Sequence, residues 1–192
     1  MMLRSFLAIE IPPSIQGAIS SQIESIKRNF PKPAIRWVTT GNIHLTLKFL
    51  GEASPRSLDQ IASSVESEIN QIKPFSIPFS EAGVFPNARK PRIIWIGLNN
   101  SKELDSIHKL IESVTISLGF QREERPFSPH ITLGRVNDFF PATELGKLLT
   151  EIRSIDISLI ENLEVKSVTI FKSDLQPKGP VYISTHSISL KQ

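Results

Sequence analysis

The chain has 192 residues, enough for one large domain or two small lobes sharing a core. Hydrophobic residues make up 40% and charged residues 21%, the mix of a folded globular protein rather than a disordered one. With no cysteine it can hold neither a disulfide, a thiolate metal site nor a cysteine nucleophile; the formal charge of +3 suits a phosphate-rich partner without requiring one.

Met1–Ser14 carries a short apolar run broken by Arg4 and Glu10 and closed by Pro12-Pro13. It lacks the apolar stretch and cleavage site of a signal peptide, so the expected location is the cytoplasm. No run approaches the roughly 18 apolar residues of a membrane span. Ser5–Ile11 reads as a strand. Pro13–Asn29 reads as a helix with Ile15, Ile19, Ile23 and Ile26 inward. Arg36–Val38 and His44–Leu50 are strand-like. Pro55–Ile72 is helical on Leu58, Ile61, Ala62, Val65, Ile69 and Ile72, with Ser54 as N-cap and Pro55 in the first turn.

Phe75–Phe85 and Arg92–Leu98 are strand-like runs. The basic stretch Asn87-Ala88-Arg89-Lys90-Pro91-Arg92 between them is a solvated hairpin turn or a contact for an RNA backbone. Lys102–Leu118 is helical on Leu104, Ile107, Ile111, Val114 and Leu118, between the start signal Ser101 and the stop signal Gly119. His130–Val136 is a strand, Ala142–Ile152 a short helix, and Leu163–Phe171 and Val181–Leu190 are strands. Several strands follow one another without an intervening helix, which predicts α+β with antiparallel sheets.

One internal echo stands out. His44-Leu45-Thr46-Leu47 returns as His130-Ile131-Thr132-Leu133, about half a chain later, each copy in a strand that a helical segment follows. Alternate residues of a strand share a face. His44 and Thr46 therefore point one way and Leu45 and Leu47 the other, and the second copy repeats this. The expectation is two similar lobes, each presenting one His–Thr pair to a common cleft.

A lone histidine in an apolar strand is usually a hydrogen-bonded core residue; two copies in matching contexts argue for a site. Imidazole titrates near neutrality, so one ring can accept a proton while the other donates one. Opening a cyclic phosphate needs that pair: a base for the attacking water and an acid for the departing sugar oxygen. Threonine hydroxyls can hydrogen-bond the charge that builds on the phosphoryl oxygens. Zinc would ask for a third protein ligand, and no Asp or Glu lies within either motif. His108 reads as a boundary residue beside a helical stripe. His186 reads as structural, with Tyr182 and Ser184 expected on its face.

The chain resembles the 2H phosphoesterase superfamily, and within it the RNA 2′,3′-cyclic phosphodiesterase family, formerly called 2′-5′ RNA ligases. The resemblance rests on Arg4-Ser5-Phe6-Leu7-Ala8-Ile9, Asn42–Gly51 around the first motif, Gly83-Val84-Phe85-Pro86, Arg92–Gly97, Phe127–Arg135 around the second motif, Ser173-Asp174-Leu175, and Gly179-Pro180-Val181-Tyr182. It covers nearly the whole chain in order. It implies one bilobal domain over residues 1–192, with two pseudo-symmetric lobes, each an antiparallel sheet with helices, and the active-site cleft between them. It implies hydrolysis of an RNA terminal 2′,3′-cyclic phosphate to a 2′-phosphate without metal or cofactor. His44 would be the proton donor and His130 the proton acceptor, with Thr46 and Thr132 beside them.

Arg135 would bind the phosphate, as the family places an arginine there, but strand parity turns it away from His130 unless the strand bulges near Gly134. Phe49 stands at the equivalent place in the first motif, either stacking on a base or packing in the core. The expected partner is RNA, or a nucleotide, bearing a cyclic phosphate, and the expected state a monomer without membrane contact. Ligation of 2′-5′ RNA ends, turnover of small cyclic nucleotides, and a non-catalytic RNA-binding module are the alternatives.

Overall fold

Strand and helix signals in the sequence resolve, in the computed structural model, into ten strands and five α-helices among the described residues 2–31, 33–176 and 179–191. In chain order they are β1 (Leu3–Glu10), α1 (Pro13–Gln22), α2 (Glu24–Asn29), β2 (Ile35–Trp37), β3 (His44–Ala53), α3 (Pro55–Ile69), β4 (Phe75–Ile77), β5 (Phe79–Phe85) and β6 (Ile93–Leu98). Then follow α4 (Lys102–Ser117), β7 (His130–Val136), α5 (Leu145–Arg153), β8 (Leu163–Val165), β9 (Ser167–Gln176) and β10 (Gly179–Ser189). No helix among these residues is long and apolar enough to cross a membrane.

The large sheet runs β10-β9-β1-β3-β7-β6-β5, with β2 added on β7, and every pairing is antiparallel. It is α+β and bilobal. One lobe holds β10, β9, β1 and β3; the other holds β7, β6, β5 and β2. The first lobe thus joins strands from both ends of the chain. The lobes meet at β3 and β7, where the ladder has one bridge, Leu45 opposite Ile131. Helix α3 packs on α4 and β10, α4 on β3, and α5 on β5. One buried apolar cluster extends through both lobes.

Local signals explain the helix ends. The Ser54 hydroxyl accepts from the Ser57 N–H at 3.1 Å, ahead of Pro55, and starts α3. The Ser101 hydroxyl accepts from the Leu104 N–H at 3.1 Å and starts α4, which ends before Gly119 at φ +87°. Three expectations are corrected. The helix expected over Pro13–Asn29 breaks at Ile23, where ψ is 4°. The run Phe75–Phe85 divides at Pro78: β4 pairs with β8 in a small second sheet, and β5 joins the large one. Leu163–Phe171 likewise divides at Lys166, β8 going to the small sheet and β9 to the large.

Leu45 and Ile131 are fully buried at the one bridge between the lobes. Leu45→Ala removes contacts that local collapse cannot replace. It is expected to lower unfolding free energy by about 2–5 kcal/mol, read from urea melts followed by circular dichroism.

Candidate active site

His44 is the first residue of β3 and His130 the first of β7. Over their first seven residues the two strands show the same burial order, position by position. Leu45, Leu47, Ile131 and Leu133 turn into the core. His44, Thr46, His130 and Thr132 occupy the other face and are partly accessible. The antiparallel register at Leu45 and Ile131, continued one residue each way, sets His44 across from Thr132 and His130 across from Thr46. The two histidines are then diagonal neighbours, a relation that spans about 7–8 Å.

Each ring is held the same way. The His44 Nδ1–H donates to the Asn42 carbonyl at 2.7 Å, and the His130 Nδ1–H donates to the Ser128 carbonyl at 2.7 Å. A carbonyl can only accept, so the neutral ring carries its proton on Nδ1 and leaves Nε2 for chemistry. An aromatic ring meets each imidazole edge-on: Tyr182 at 5.1 Å from His44, Phe85 at 5.0 Å from His130. Behind them lie stacked pairs, Phe6 on Phe171 at 5.3 Å and Phe85 on Trp95 at 4.8 Å. Phe6 also contacts His44 at 4.8 Å. Gly83 leaves room for the second stack, because a Cβ there would lie 2.6 Å from the Trp95 ring.

Burial and nearby charge both act around His44. Burial pushes the His44 imidazolium below its ordinary 6.5, and the hydrogen bond to the Asn42 carbonyl opposes this. Burial also pushes the Tyr182 phenol up, opposed by the positive charges of Arg135 and Arg4. Arg135, on the second lobe, is therefore within charge reach of the ring that touches His44 on the first.

A bulge accounts for that position of Arg135. Along the β6–β7 ladder Trp95 pairs with Thr132 and Ile94 with Gly134, which leaves Leu133 unpartnered. The extra residue reverses the alternation, so Arg135 shares the face of His130 and Thr132 and is exposed. β3 bulges at the equivalent residue: Ala8 pairs with Thr46 and Leu7 with Lys48, which leaves Leu47 out. Phe49 thus also joins the motif face. It is 65% exposed, 6.0 Å from Phe6, which overturns the core-packing reading of it.

The structure separates the other two histidines from this face. His108 on α4 stacks on Phe127 at 4.0 Å, a boundary position as expected. His186 does not share a face with Tyr182 and Ser184. β10 bulges at Thr185, so His186 turns to the helix side, where its Nε2 meets Asp59 of α3 at 3.1 Å. Arg92, in the basic turn, pairs with Asp138. No group of three or more His, Asp or Glu residues arranged to hold a metal ion occurs among the described residues. Sequence reasoning missed Tyr182 as a neighbour of His44. Its signals were its place in a late strand and in the stretch Gly179-Pro180-Val181-Tyr182, and the order β10-β9-β1-β3 is what carries it there.

The profile of a family described as LigT like Phosphoesterase matches this chain twice, over residues 9–95 and 96–182. A curated relative from Methanothermobacter thermautotrophicus, named RNA 2′,3′-cyclic phosphodiesterase, is 30% identical over 182 residues, covering 95% of this chain and 96% of its own. Another of that name, from Methanocaldococcus jannaschii, is 34% identical over 180 residues, covering 94% of this chain and 96% of its own. A crystal structure of E. coli LigT complexed with 3′-AMP is 25% identical, with a TM-score of 0.76 and 100% of both chains covered.

The lowered His44 value has a measurable consequence. Between 6.5 and that lower value the unfolded chain binds a proton that the folded chain does not, so His44 weakens the fold as pH falls through this window. Proton NMR of the four histidines should place the His44 midpoint below 6.5. His44→Gln should remove part of the stability lost between about pH 7 and pH 5. A midpoint at or above 6.5 contradicts the burial argument.

Proposed function

Because the chain belongs to the LigT-like phosphoesterase family, we propose that it opens the 2′,3′-cyclic phosphate at an RNA end to a 2′-phosphate. The observation that carries the reading is the antiparallel junction, which sets two Nδ1-anchored imidazoles diagonally on one face with a threonine across from each. The relatives named RNA 2′,3′-cyclic phosphodiesterase support the substrate class.

In this mechanism His130 Nε2 takes a proton from water as its oxygen bonds to phosphorus. The bond from phosphorus to the 3′ oxygen breaks, and the His44 Nε2–H protonates that oxygen. The phosphate remains on the 2′ oxygen. His44 ends neutral and His130 protonated, and exchange with solvent resets both. Thr46 and Thr132 hydroxyls donate to the non-bridging oxygens as charge builds there. Burial makes the His44 imidazolium a stronger acid, and the anionic phosphate beside it favours its charged form.

Arg135 offers the phosphate a planar donor fork. Phe49 offers a base a face to stack on, its ring being exposed beside Phe6. The two imidazoles complete the proton inventory, so the step needs neither metal nor cofactor. All these groups come from one chain, which suits a bilobal monomer acting on RNA in the cytoplasm.

His44→Ala and His130→Ala are each expected to lower kcat by roughly 10²–10⁴ on RNA ending in a 2′,3′-cyclic phosphate, with circular dichroism unchanged. Wild-type turnover should persist in EDTA, with a 2′-phosphate product by phosphorus NMR. Full activity in either variant would falsify the acid–base pair, and loss on chelation would assign the step to a metal.

A further inference from the structure

β2 is three residues long, yet it is fixed on β7. The Val38 N–H donates to the Leu133 carbonyl at 2.8 Å, and the Trp37 Nε1–H donates to the Phe30 carbonyl at 3.0 Å. Gly134 lies so close beneath β2 that a Cβ there would come within 3.0 Å of both the Ile35 and Trp37 side chains. In this ladder Ile35 stands opposite Val136, and both are buried. Arg36 stands directly opposite Arg135, and both are exposed on the other face. The bulge at Leu133 makes that face the one carrying His130 and Thr132.

Two positive side chains at directly paired positions have Cβ atoms about 4.5–5.5 Å apart and repel each other. The ion pairs among the described residues involve Arg28, Lys48, Arg92 and His186, and neither Arg36 nor Arg135. A rigid ladder thus roots two arginine side chains at paired positions, with no acid joined to either among the described residues, on the face of the proposed phosphate site. An anion between them would remove the repulsion, and two planar forks can grip the oxygens of one phosphate.

We propose that Arg36 and Arg135 form a site for the phosphodiester that precedes the reactive phosphate in an RNA chain. Arg135 lies three residues beyond Thr132, about 10 Å along a regular strand and less across the bulge. With the reach of its side chain, Arg135 spans from the reactive phosphate to its neighbour, and Arg36 holds the neighbour from the far side. A cyclic mononucleotide has no such neighbour. The pair therefore selects RNA ends over small cyclic nucleotides. This deepens the phosphodiesterase reading and rests on it.

The test compares kcat/KM for a trinucleotide ending in a 2′,3′-cyclic phosphate with that for adenosine 2′,3′-cyclic phosphate. Arg36→Ala is expected to lower the ratio of the two by about tenfold, the loss of one charge-assisted contact. Arg36→Glu should lower it further, and Arg36→Lys should restore part of it. The salt dependence on the trinucleotide should become shallower by about one ion in Arg36→Ala. A ratio equal to the wild type, whether both activities fall together or neither falls, overturns the proposal. If the wild type opens neither substrate, the phosphodiesterase reading fails instead. Fluorescence anisotropy of a 5′-labelled trinucleotide ending in a 2′-phosphate then reads the site alone. Equal affinity of wild type and Arg36→Glu would overturn it there.

Discussion

Leu45 facing Ile131 is the one bridge through which the two lobes share a sheet, and the placement of the polar groups follows from it. The side-chain period of a strand is two residues, so a slip of one strand by one residue at this bridge would send its histidine and threonine into the core and its two aliphatic residues into the cleft. Leu45 and Ile131 are both fully buried and hold the register against that slip. The crossing is antiparallel, so equal motifs meet head to tail. That is why each histidine faces the threonine of the other motif rather than its own counterpart. A parallel meeting would have put the two imidazoles side by side, where one phosphate could not sit between them.

The bulges at Leu47 and Leu133 are the second constraint, and they act alike on both lobes. Each inserts one unpartnered residue after the threonine and brings the position two residues beyond onto the cleft face. There the lobes part in chemistry: Phe49 on one, Arg135 on the other. The residue just past each bulge differs as well. Lys48 is buried, and its Nζ donates to a Glu112 carboxylate oxygen at 2.6 Å and to the Gln121 carbonyl at 2.7 Å. It thereby ties the strand of the first motif to the chain that leads into the second. A buried ion pair of this sort fixes geometry more than it adds stability. On the other lobe Gly134 closes on Trp37 and ties in β2 instead.

Much of this was legible in the sequence, and the parts that were not share a cause. Ser54-Pro55, Ser101 and Gly119 marked helix ends because capping is local chemistry. The alternation in His44–Leu47 and His130–Leu133 marked those two strands and their buried face, their repetition half a chain apart suggested two lobes, and the run of strands without intervening helices pointed to α+β. Alternation could not place what lies past a bulge, because an extra residue leaves no signature in polarity. Arg135 therefore read as facing away from His130 unless a bulge near Gly134 intervened, as it does, and His186 read as sharing a face with Tyr182. Pro78 cut one apparent strand into two that serve different sheets, which an apolar run cannot reveal. Phe49 looked equally at home in a core, since an aromatic residue in an apolar strand gives no hint of which face it takes. Tyr182 reaches His44 only through three successive strand pairings of distant segments.

Identical motifs do not make identical sites, and the difference lies in what surrounds each ring. His44 sits among Phe6, Phe171 and Tyr182, and their burial of the ring outweighs the carbonyl that steadies its charged form. Among the described residues the aromatic rings that meet His130 are Phe85 and Trp95, and its own strand carries a guanidinium group three residues past its threonine. In the proposed reaction the anionic substrate must offset the burial of His44, so the acid is armed when the phosphate arrives. In the proposed RNA complex the preceding phosphodiester of that substrate relieves the repulsion of Arg36 against Arg135. Charge on the substrate then serves both ends of the cleft: it charges the imidazole on one lobe and neutralises the paired arginines on the other.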